Sequence, residues 1–466
     1  MGHIVIAFRV KSDAEGNAKD PEITRKSRVA FADDKGRSDA YLDTYSGCAD
    51  DITDRAITAV GQHLGAEFDT CDVGGAYFHG TPTPPEEGGR AVFAEVPKYL
   101  HKFGAYPTHN EQGHKNYLRI LGNMPGRKDA GAIWARRYDS FLLGIGMRQS
   151  VVDRRLFIIA TDEGTLMAHI HVDDTRLTFT NRRMRAWFME KWSAEFDEKP
   201  MKSELDEDFV GVTRSVPRSG TIEYTCGGVI KSMHELIKPY PLGQGVTDAY
   251  PMSATAPREL REAPSVKNPL VPELTPIART SCGTIGFIVM HVRPDAYFAF
   301  CVLCRYMHEA RLTKRAFSHL LRLAWYIVGT ADMPLVIHSE DSREAEAGTS
   351  WDKTGLFTAW VDTSHGNAED GASYGGFIIM NKGGGALAWK CKAQEIATDS
   401  TGAQELVMAT TCYKYVAALR MLLLDMRVGA EQIDPTPMYT DSQILLDGTD
   451  CERLVKSSRW LASGTR

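Results

Sequence analysis

Cysteine, long apolar runs and an excess of positive charge are all scarce in this 466-residue chain. Its nine cysteines are odd in number and scattered from Cys48 to Cys451. That speaks against a disulfide-stapled framework and for free buried thiols in a reducing, intracellular compartment. The longest uninterrupted apolar stretches, around Ile285 to Met290 and Ala296 to Leu303, fall short of the ~18–20 residues a membrane-spanning helix needs, so no transmembrane segment is expected. Ile4 to Phe8 is too short for a signal core, and Ile6 stands where a myristoylation site would need Ser or Thr. With 54 Lys and Arg against 60 Asp and Glu, the formal net charge is -6, so a polyanionic partner would have to be met by local basic patches. There is no internal repeat. Gly383-Gly384-Gly385 has no Gly-Lys-Ser/Thr after it and reads as a hairpin turn, not a phosphate loop.

What is present is ordinary globular material: 43% hydrophobic and 24% charged residues, in a length suited to about three domains. The one cysteine pair with metal-like spacing is Cys301-Val-Leu-Cys304, with His308 nearby. Its apolar neighbours favour a buried helix face over a zinc knuckle, because free Cys behaves as a small hydrophobe. Met1 to about Ala66 reads as an accessory lobe. Trp134, Tyr138, Phe141 and Leu142 recur at helical spacing. Leu166 to Val172 and Arg176 to Phe179 flank an acidic tip at Asp173-Asp174. Six prolines between Pro239 and Pro269, and two more at 272 and 276, mark a connector. Ser281 to Gly329 is helical and partly basic. Strands are then expected at Phe357 to Asp362, Gly376 to Met380 and Ala386 to Lys390, followed by a long helix that Thr401 and Gln404 open as a capping box. A last strand, Met438 to Thr440, ends at Asp441.

Paired aspartates are common here, at Asp33-Asp34 and Asp50-Asp51 as well, so Asp173-Asp174 gains weight only from its place between two strands. Asp72 ends another strand. Two charges ~4 Å apart repel by roughly 4 kcal/mol at an effective dielectric of ~20, so carboxylates gathered at strand ends call for a compensating cation. Hard oxygen ligands suit Mg²⁺, and two such ions support phosphoryl transfer. Lys115, Arg119, Arg127, Lys128, Arg136 and Arg137 against Asp129 form a local patch suited to phosphate-backbone contact, with an ordinary charged helix face as the alternative.

Asp72-Val-Gly-Gly-Ala-Tyr-Phe-His-Gly80, Leu118 through Met124-Pro-Gly-Arg-Lys-Asp-Ala-Gly-Ala-Ile-Trp134, Leu143-Gly-Ile-Gly146, Asp153 with Leu156-Phe157, His171-Val-Asp-Asp174 and Val210-Gly211 follow one another in the order found in copia-type retrotransposon reverse transcriptases. The resemblance continues through Arg293-Pro-Asp-Ala-Tyr297 and Trp325-Tyr-Ile-Val-Gly-Thr330 and covers nearly the whole chain. It implies an α+β chain: a right-hand polymerase with fingers and palm over residues 1–240, a Pro-rich linker and mostly helical thumb or connection over 241–349, and an RNase H-like α/β domain over 350–466. It implies an RNA-directed DNA polymerase, a nucleotidyltransferase, with Asp72, Asp173 and Asp174 holding two Mg²⁺ ions, or Mn²⁺ in their place. Tyr77 is similar to the aromatic that crowds the sugar 2′ position, and a plain core aromatic explains it equally. Lys26 and Arg28 resemble the pair that holds an incoming deoxynucleoside triphosphate, with a solvated basic turn as the other account.

The unit from about Ser350 looks like the family's RNase H domain, with Asp362, Glu405 and Asp441 as carboxylates for a second pair of Mg²⁺ ions and RNA in an RNA/DNA hybrid as substrate. Asp441 as a helix cap and Glu405 as an N-terminal helix charge are the competing accounts. Gly375-Gly376-Phe377 and Trp389 through Gln394 match the second and third strands. The implied partners are an RNA template and a DNA primer, in a cytoplasmic particle or the nucleus, without membrane. Several positions depart from the family pattern. His171 replaces the usual Tyr and bears on primer positioning, Pro125 replaces another Tyr, Gly131 and Ile133 alter a consensus, and Gly402-Ala-Gln404 is a thinned entry to Glu405. Val455 to Arg466 lacks the family's Lys-His-Ile-Asp run, so no fourth carboxylate is nominated and a truncated end is expected. Three readings follow: an active reverse transcriptase with RNase H, a decayed or domesticated fragment of a longer polyprotein that binds nucleic acid without catalysis, and a metal-dependent nuclease only.

Overall fold

The fold was obtained as a computed structural model, which describes residues 2–10, 25–33, 44–87, 89, 91–96, 107–196, 207–218, 220–242, 259–339, 357–364, 373–394, 401–426, 436–443 and 445–446. Strands β1 (Gly2–Val10) and β2 (Arg25–Asp33) form an outlying sheet with β4 (Val92–Glu95) and β5 (Tyr117–Ile120), in the order β2-β1-β4-β5. Phe31, Val92, Ala94 and Met124 fill its small core. The Pro125 carbonyl accepts the Phe31 N–H at 2.7 Å, and a side chain on Gly126 would strike the Phe31 carbonyl, so this turn is tied to β2.

The central sheet is antiparallel, in the order β3-β9-β8-β7-β6: β3 (Glu67–Asp72), β6 (Arg148–Gln149), β7 (Leu156–Thr161), β8 (Gly164–His171) and β9 (Asp174–Phe179). Helix α2 (Ala130–Gly144) and helix α3 (Arg182–Phe196) cover one face, where Trp134, Tyr138, Leu142, Phe188, Trp192 and Phe196 meet Phe157, Leu166 and Leu177. The expected helical spacing from Trp134 to Leu142 is therefore a core stripe. Helix α1 (Asp51–His63) packs with the other face, where Ala56 and Val60 share a core with Ile158 and Met167. Covered on both sides, β8 is apolar almost throughout, as strands buried on two faces are.

The position of α1 corrects the reading of the first 66 residues as an accessory lobe. Asp50 caps the helix by accepting the Ile52 N–H at 2.7 Å, and every residue from Thr53 to Gly61 is buried. The charges of Asp51, Asp54 and Arg55 suggest a surface, but Asp54 and Arg55 are spent on buried partners. Arg55 Nε donates to the Leu387 carbonyl at 2.7 Å, Nη1 donates to the His291 carbonyl at 3.2 Å, and the guanidinium lies 4.3 Å from the centre of the Trp389 ring.

A third sheet, β10-β11-β12-β13, joins β10 (Glu207–Phe209), β11 (Val212–Arg218) and β12 (Thr221–Thr225) to β13 (Leu335–His338). Between β12 and β13 the described chain runs through helices α4 (Gly227–Ile237), α5 (Thr275–His291), α6 (Tyr297–Cys304) and α7 (Lys314–Gly329), which share one core with both strands, while residues 243–258 of the proline-rich stretch lie outside the described residues. Thr313 caps α7 by accepting the Ala316 N–H.

The last sheet has the order β16-β15-β14-β17. Strands β14 (Phe357–Ser364), β15 (Tyr374–Asn381) and β16 (Ala386–Ala393) are antiparallel, and β17 (Met438–Tyr439) runs parallel to β14. A parallel neighbour needs a crossover, which helix α8 (Thr401–Asp425) supplies. Among the described residues, α8 is long and apolar enough by length and composition to cross a membrane. Counting uninterrupted runs missed it because Lys414 and Arg420 break its sequence. It packs on β14 and β15 through residues such as Met408, Cys412 and Leu419. The Gln404 side-chain oxygen accepts from Ser373 Oγ at 2.5 Å. The three glycines do make a hairpin turn, with Gly384 and Gly385 at φ of 97° and 110°. A side chain on Gly385 would meet the Val336 carbonyl, so the turn sits flush on β13. The class is the expected α+β one, with a central antiparallel sheet, a run of helices after it and a last mixed sheet crossed by a long helix.

Arg55→Ala is expected to destabilise the fold by about 2–4 kcal/mol, because it leaves a cavity and two carbonyls without their donor. Urea unfolding measures this, and an unchanged midpoint would contradict the role given to Arg55.

Candidate active sites

The palm hairpin turns one residue earlier than the sequence suggests. Its tip is Val172-Asp173, and Asp174 already begins β9, paired with His171 in β8 and with Asp72 in β3. Tight two-residue turns need positive φ, and Val172 adopts 58°, which a β-branched residue takes up at a cost on the order of 1–3 kcal/mol. Two hydrogen bonds hold it there: Trp134 Nε1 donates to the Val172 carbonyl at 2.6 Å, and the Val73 N–H donates to the Asp173 carbonyl at 3.3 Å. Asp72 and Asp174 are thus direct cross-strand neighbours, with Asp173 at the turn beside them. Among the described residues these three are not gathered as tightly as the carboxylates of the other site.

Tyr77 lies half-buried in the turn after β3. Burial, and then the charge of Asp173, push its phenol up from the ordinary value. His171 is half-buried with its ring edge against Phe209, 6.0 Å between centres, and burial pulls its imidazole down. Lys26 and Arg28 fall on β2, and their side chains lie outside the described residues. The basic patch after Lys115 is largely spent on local partners. Arg127 makes a buried two-pronged pair with Asp129, Lys115 pairs with Glu95, and Arg137 pairs with Glu195.

Under the hairpin lies a charged network that motif reading missed. Arg176 Nη1 donates to Asp54 Oδ2 at 2.5 Å, and the Arg176 guanidinium lies 4.4 Å from the centre of the Phe209 ring. His169 sits between two carboxylates, Nε2 at 3.2 Å from Asp153 Oδ2 and Nδ1 at 3.7 Å from Asp54 Oδ1. Burial alone would favour the neutral forms. Against it, Arg176 and His169 hold the Asp54 carboxyl well below its usual range, and His169 holds Asp153 below its own. The two carboxylates in turn raise the His169 imidazole above 6.5 in spite of its burial. The hydrophobic alternation around His169 and Arg176 hides these residues from a pattern search.

The second site is an outcome of sheet topology. Because β17 runs parallel to β14 with Trp360 opposite Tyr439, Asp362 and Asp441 leave the sheet at the same end. Strand β17 stops at Tyr439, and Asp441 lies two residues beyond it, not at its end. Glu405, in the first turns of α8, completes the group: one ligand oxygen from each of the three lies within 4.8 Å of the others. Asp362 and Asp441 are exposed, whereas Glu405 is buried and its Oε2 has no hydrogen-bond partner. Burial, followed by the charges of Asp362 and Asp441, raises the Glu405 carboxyl above its usual value. A buried oxygen without a donor, facing two further carboxylates, is a donor set of the kind that hard divalent cations occupy. The site opens into a cleft of about 870 Å³ lined also by Trp360, Phe298, Lys390 and Tyr439. Val455 to Arg466, where the sequence offers no fourth carboxylate, lies outside the described residues.

The buried network sets a pH dependence of stability. With a raised pKa in the folded chain, His169 contributes stability that is fully present below its unfolded value and is lost as pH rises through the folded one. With lowered pKa values, Asp54 and Asp153 contribute above the ordinary carboxylate range and lose it as pH falls. Stability should therefore peak between the ordinary carboxylate and imidazole ranges and decline on the alkaline side. His169→Gln should flatten that alkaline decline in urea unfolding followed against pH, and an unaltered profile would contradict the assignment.

No family model matches the chain. It is 21% identical over 408 residues to the retrovirus-related Pol polyprotein from transposon RE2 of Arabidopsis thaliana, covering 86% of this chain and 25% of that protein. To the corresponding polyprotein from transposon RE1 of the same plant it is 23% identical over 409 residues, covering 86% and 24%. A solved structure of a foamy viral protease-reverse transcriptase in complex with RNA/DNA hybrid aligns over 95% of this chain and 47% of that chain, with a TM-score of 0.45 and 11% identity. The chain spans about a quarter of the length of the curated relatives it matches. Over that quarter the chain is similar to these plant retrotransposon Pol polyproteins.

Proposed function

We propose that this region is an RNA-directed DNA polymerase with ribonuclease H activity, with fingers and palm over residues 1–240, a connection over 241–349 and a nuclease domain over 350–466. The observation that carries the reading is the buried, unpartnered oxygen of Glu405 held beside Asp362 and Asp441. Divalent cations, Mg²⁺ or Mn²⁺, would supply an activated hydroxyl or water and stabilise the departing oxygen. Asp362, Glu405 and Asp441 hold them in the nuclease, and Asp72, Asp173 and Asp174 hold them in the palm. In the nuclease the three carboxylates position the RNA strand of an RNA/DNA hybrid. In the palm, Tyr77 beside Asp173 narrows the space at the sugar 2′ position, His171 supports the primer end, and Lys26 and Arg28 meet the triphosphate of the incoming deoxynucleotide. Template and primer bind across the palm, inside the cell, in a cytoplasmic particle or the nucleus.

A specific observation favours a second reading, that of a nuclease alone on a polymerase-like scaffold. Among the described residues, only the nuclease carboxylates come together within 4.8 Å. Primer extension on an RNA template and cleavage of a labelled RNA/DNA hybrid, both with Mg²⁺, separate the two. Asp173→Asn should abolish incorporation and spare cleavage. Asp441→Asn should reduce cleavage by more than the ~10–100-fold typical of losing a supporting partner of a metal ligand, and spare incorporation. Cleavage without incorporation in the unaltered chain supports the second reading, and the absence of both activities overturns the proposal.

A further inference from the structure

Four cysteines of the helical region and the last sheet come together in two pairs. Helix α6 carries Cys301 and Cys304, three residues apart, and each has a different partner thiol. Cys304 Sγ lies 3.5 Å from Cys282 Sγ on α5. Cys301 of α6 approaches Cys391 on β16, the strand α6 packs against. The spacing that suggested a metal knuckle thus serves two separate contacts. Among the described residues the four do not form a metal-holding group.

We propose that Cys282 with Cys304, and Cys301 with Cys391, are two oxidisable dithiols that close into intramolecular disulfides when the chain meets a small-molecule disulfide. Several observations support this. Cys282 and Cys304 hold their sulfurs 3.5 Å apart on two helices, so side-chain rotation brings them toward bonding distance, and Cys301 and Cys391 stand on two elements packed together, α6 and β16. Access is available to each pair: Cys304 is exposed, and Cys301 and Cys391 are partly exposed. Within each pair the shared hydrogen bond favours one thiolate, lowering Cys282 at the expense of Cys304 and Cys301 at the expense of Cys391. Of the remaining described cysteines, Cys71, Cys226 and Cys412 are buried.

The chemistry closes without a further reagent. One protein thiolate attacks a sulfur of the small disulfide RS–SR and expels one thiolate, leaving a mixed disulfide. The second protein thiol gives up its proton and attacks the protein sulfur of that mixed disulfide, expelling the second small thiolate. Two protein thiols are oxidised, one RS–SR is reduced, and the two protons end on two RSH. Closure of Cys301 with Cys391 fastens α6 to β16. Phe298 of α6 and Cys391 both line the cleft that carries Asp362 and Asp441. The modification rests on sulfur geometry alone and stands whether or not the cleft is a nuclease.

The reduced full chain, incubated with oxidised glutathione and then alkylated, tests this by intact mass and by non-reducing peptide mapping. Expected is the loss of two hydrogens for each pair, of four among the nine thiols, and peptides linked 282 to 304 and 301 to 391. Cys282→Ser should leave Cys304 glutathionylated while 301 and 391 still link, and Cys391→Ser should do the converse for Cys301, so a misfolded single variant does not decide the matter. Glutathione adducts without internal links, a 301-to-304 link, or a zinc ion retained by the four thiols in native mass measurement would each overturn the proposal.

Discussion

Two adjacent residues of α1 reach different neighbours, and each ends on the frame of one acidic site. Asp54 meets Arg176 on β9, two residues from Asp174. Arg55 meets the Leu387 carbonyl on β16, the strand whose sheet carries Asp362. Ionised groups lose several kcal/mol of solvation on burial, and that loss is offset only when partners are placed with good geometry. A helix carrying such groups on both sides can therefore occupy essentially one position, and that position orients the central antiparallel sheet against the last sheet. The glycine turn at 383–385 closes the same joint from the far side, where Asn381 Nδ2 donates to the His338 carbonyl.

The two acidic sites reach their geometry by different rules of strand pairing. In the palm a tight antiparallel hairpin carries the carboxylates, and its left-handed Val172 is held by an indole and a backbone N–H from outside the turn. In the second sheet a parallel pairing across α8 lays Asp362 and Asp441 at one end, and the helix that makes the crossover brings Glu405 to them. Like charges so placed resist one another, and the raised carboxyl of Glu405 records that resistance along with its burial. A cation turns this repulsion into attraction, which is why the same cluster that is costly in the bare fold suits phosphodiester chemistry.

Much of this was legible in the sequence wherever the signal is local or periodic. The stripe from Trp134 to Leu142, the glycine turn, the strand-strand-strand-helix-strand order and the trio Asp362, Glu405 and Asp441 all follow from spacing and motif. What stayed hidden depends on distant partners. Asp54 and Arg55 look like surface charges until Arg176 and Leu387 are found beside them. The pairing of β13 with β12 joins residues more than a hundred positions apart, which no window of local propensity contains. The one-residue shift of the palm turn follows from Val172 accepting a conformation its own preference opposes, because Trp134 supports it. The meeting of Cys282 with Cys304 needs two helices to be packed before it exists at all.

The claim on which the functional account rests is that these acidic clusters take up divalent cations. Calorimetric titration of Mg²⁺ into the full chain, with and without an RNA/DNA hybrid, tests it most directly. The account predicts saturable uptake, part of which disappears with Glu405→Gln and part with Asp72→Asn. No heat of binding in either condition would contradict it.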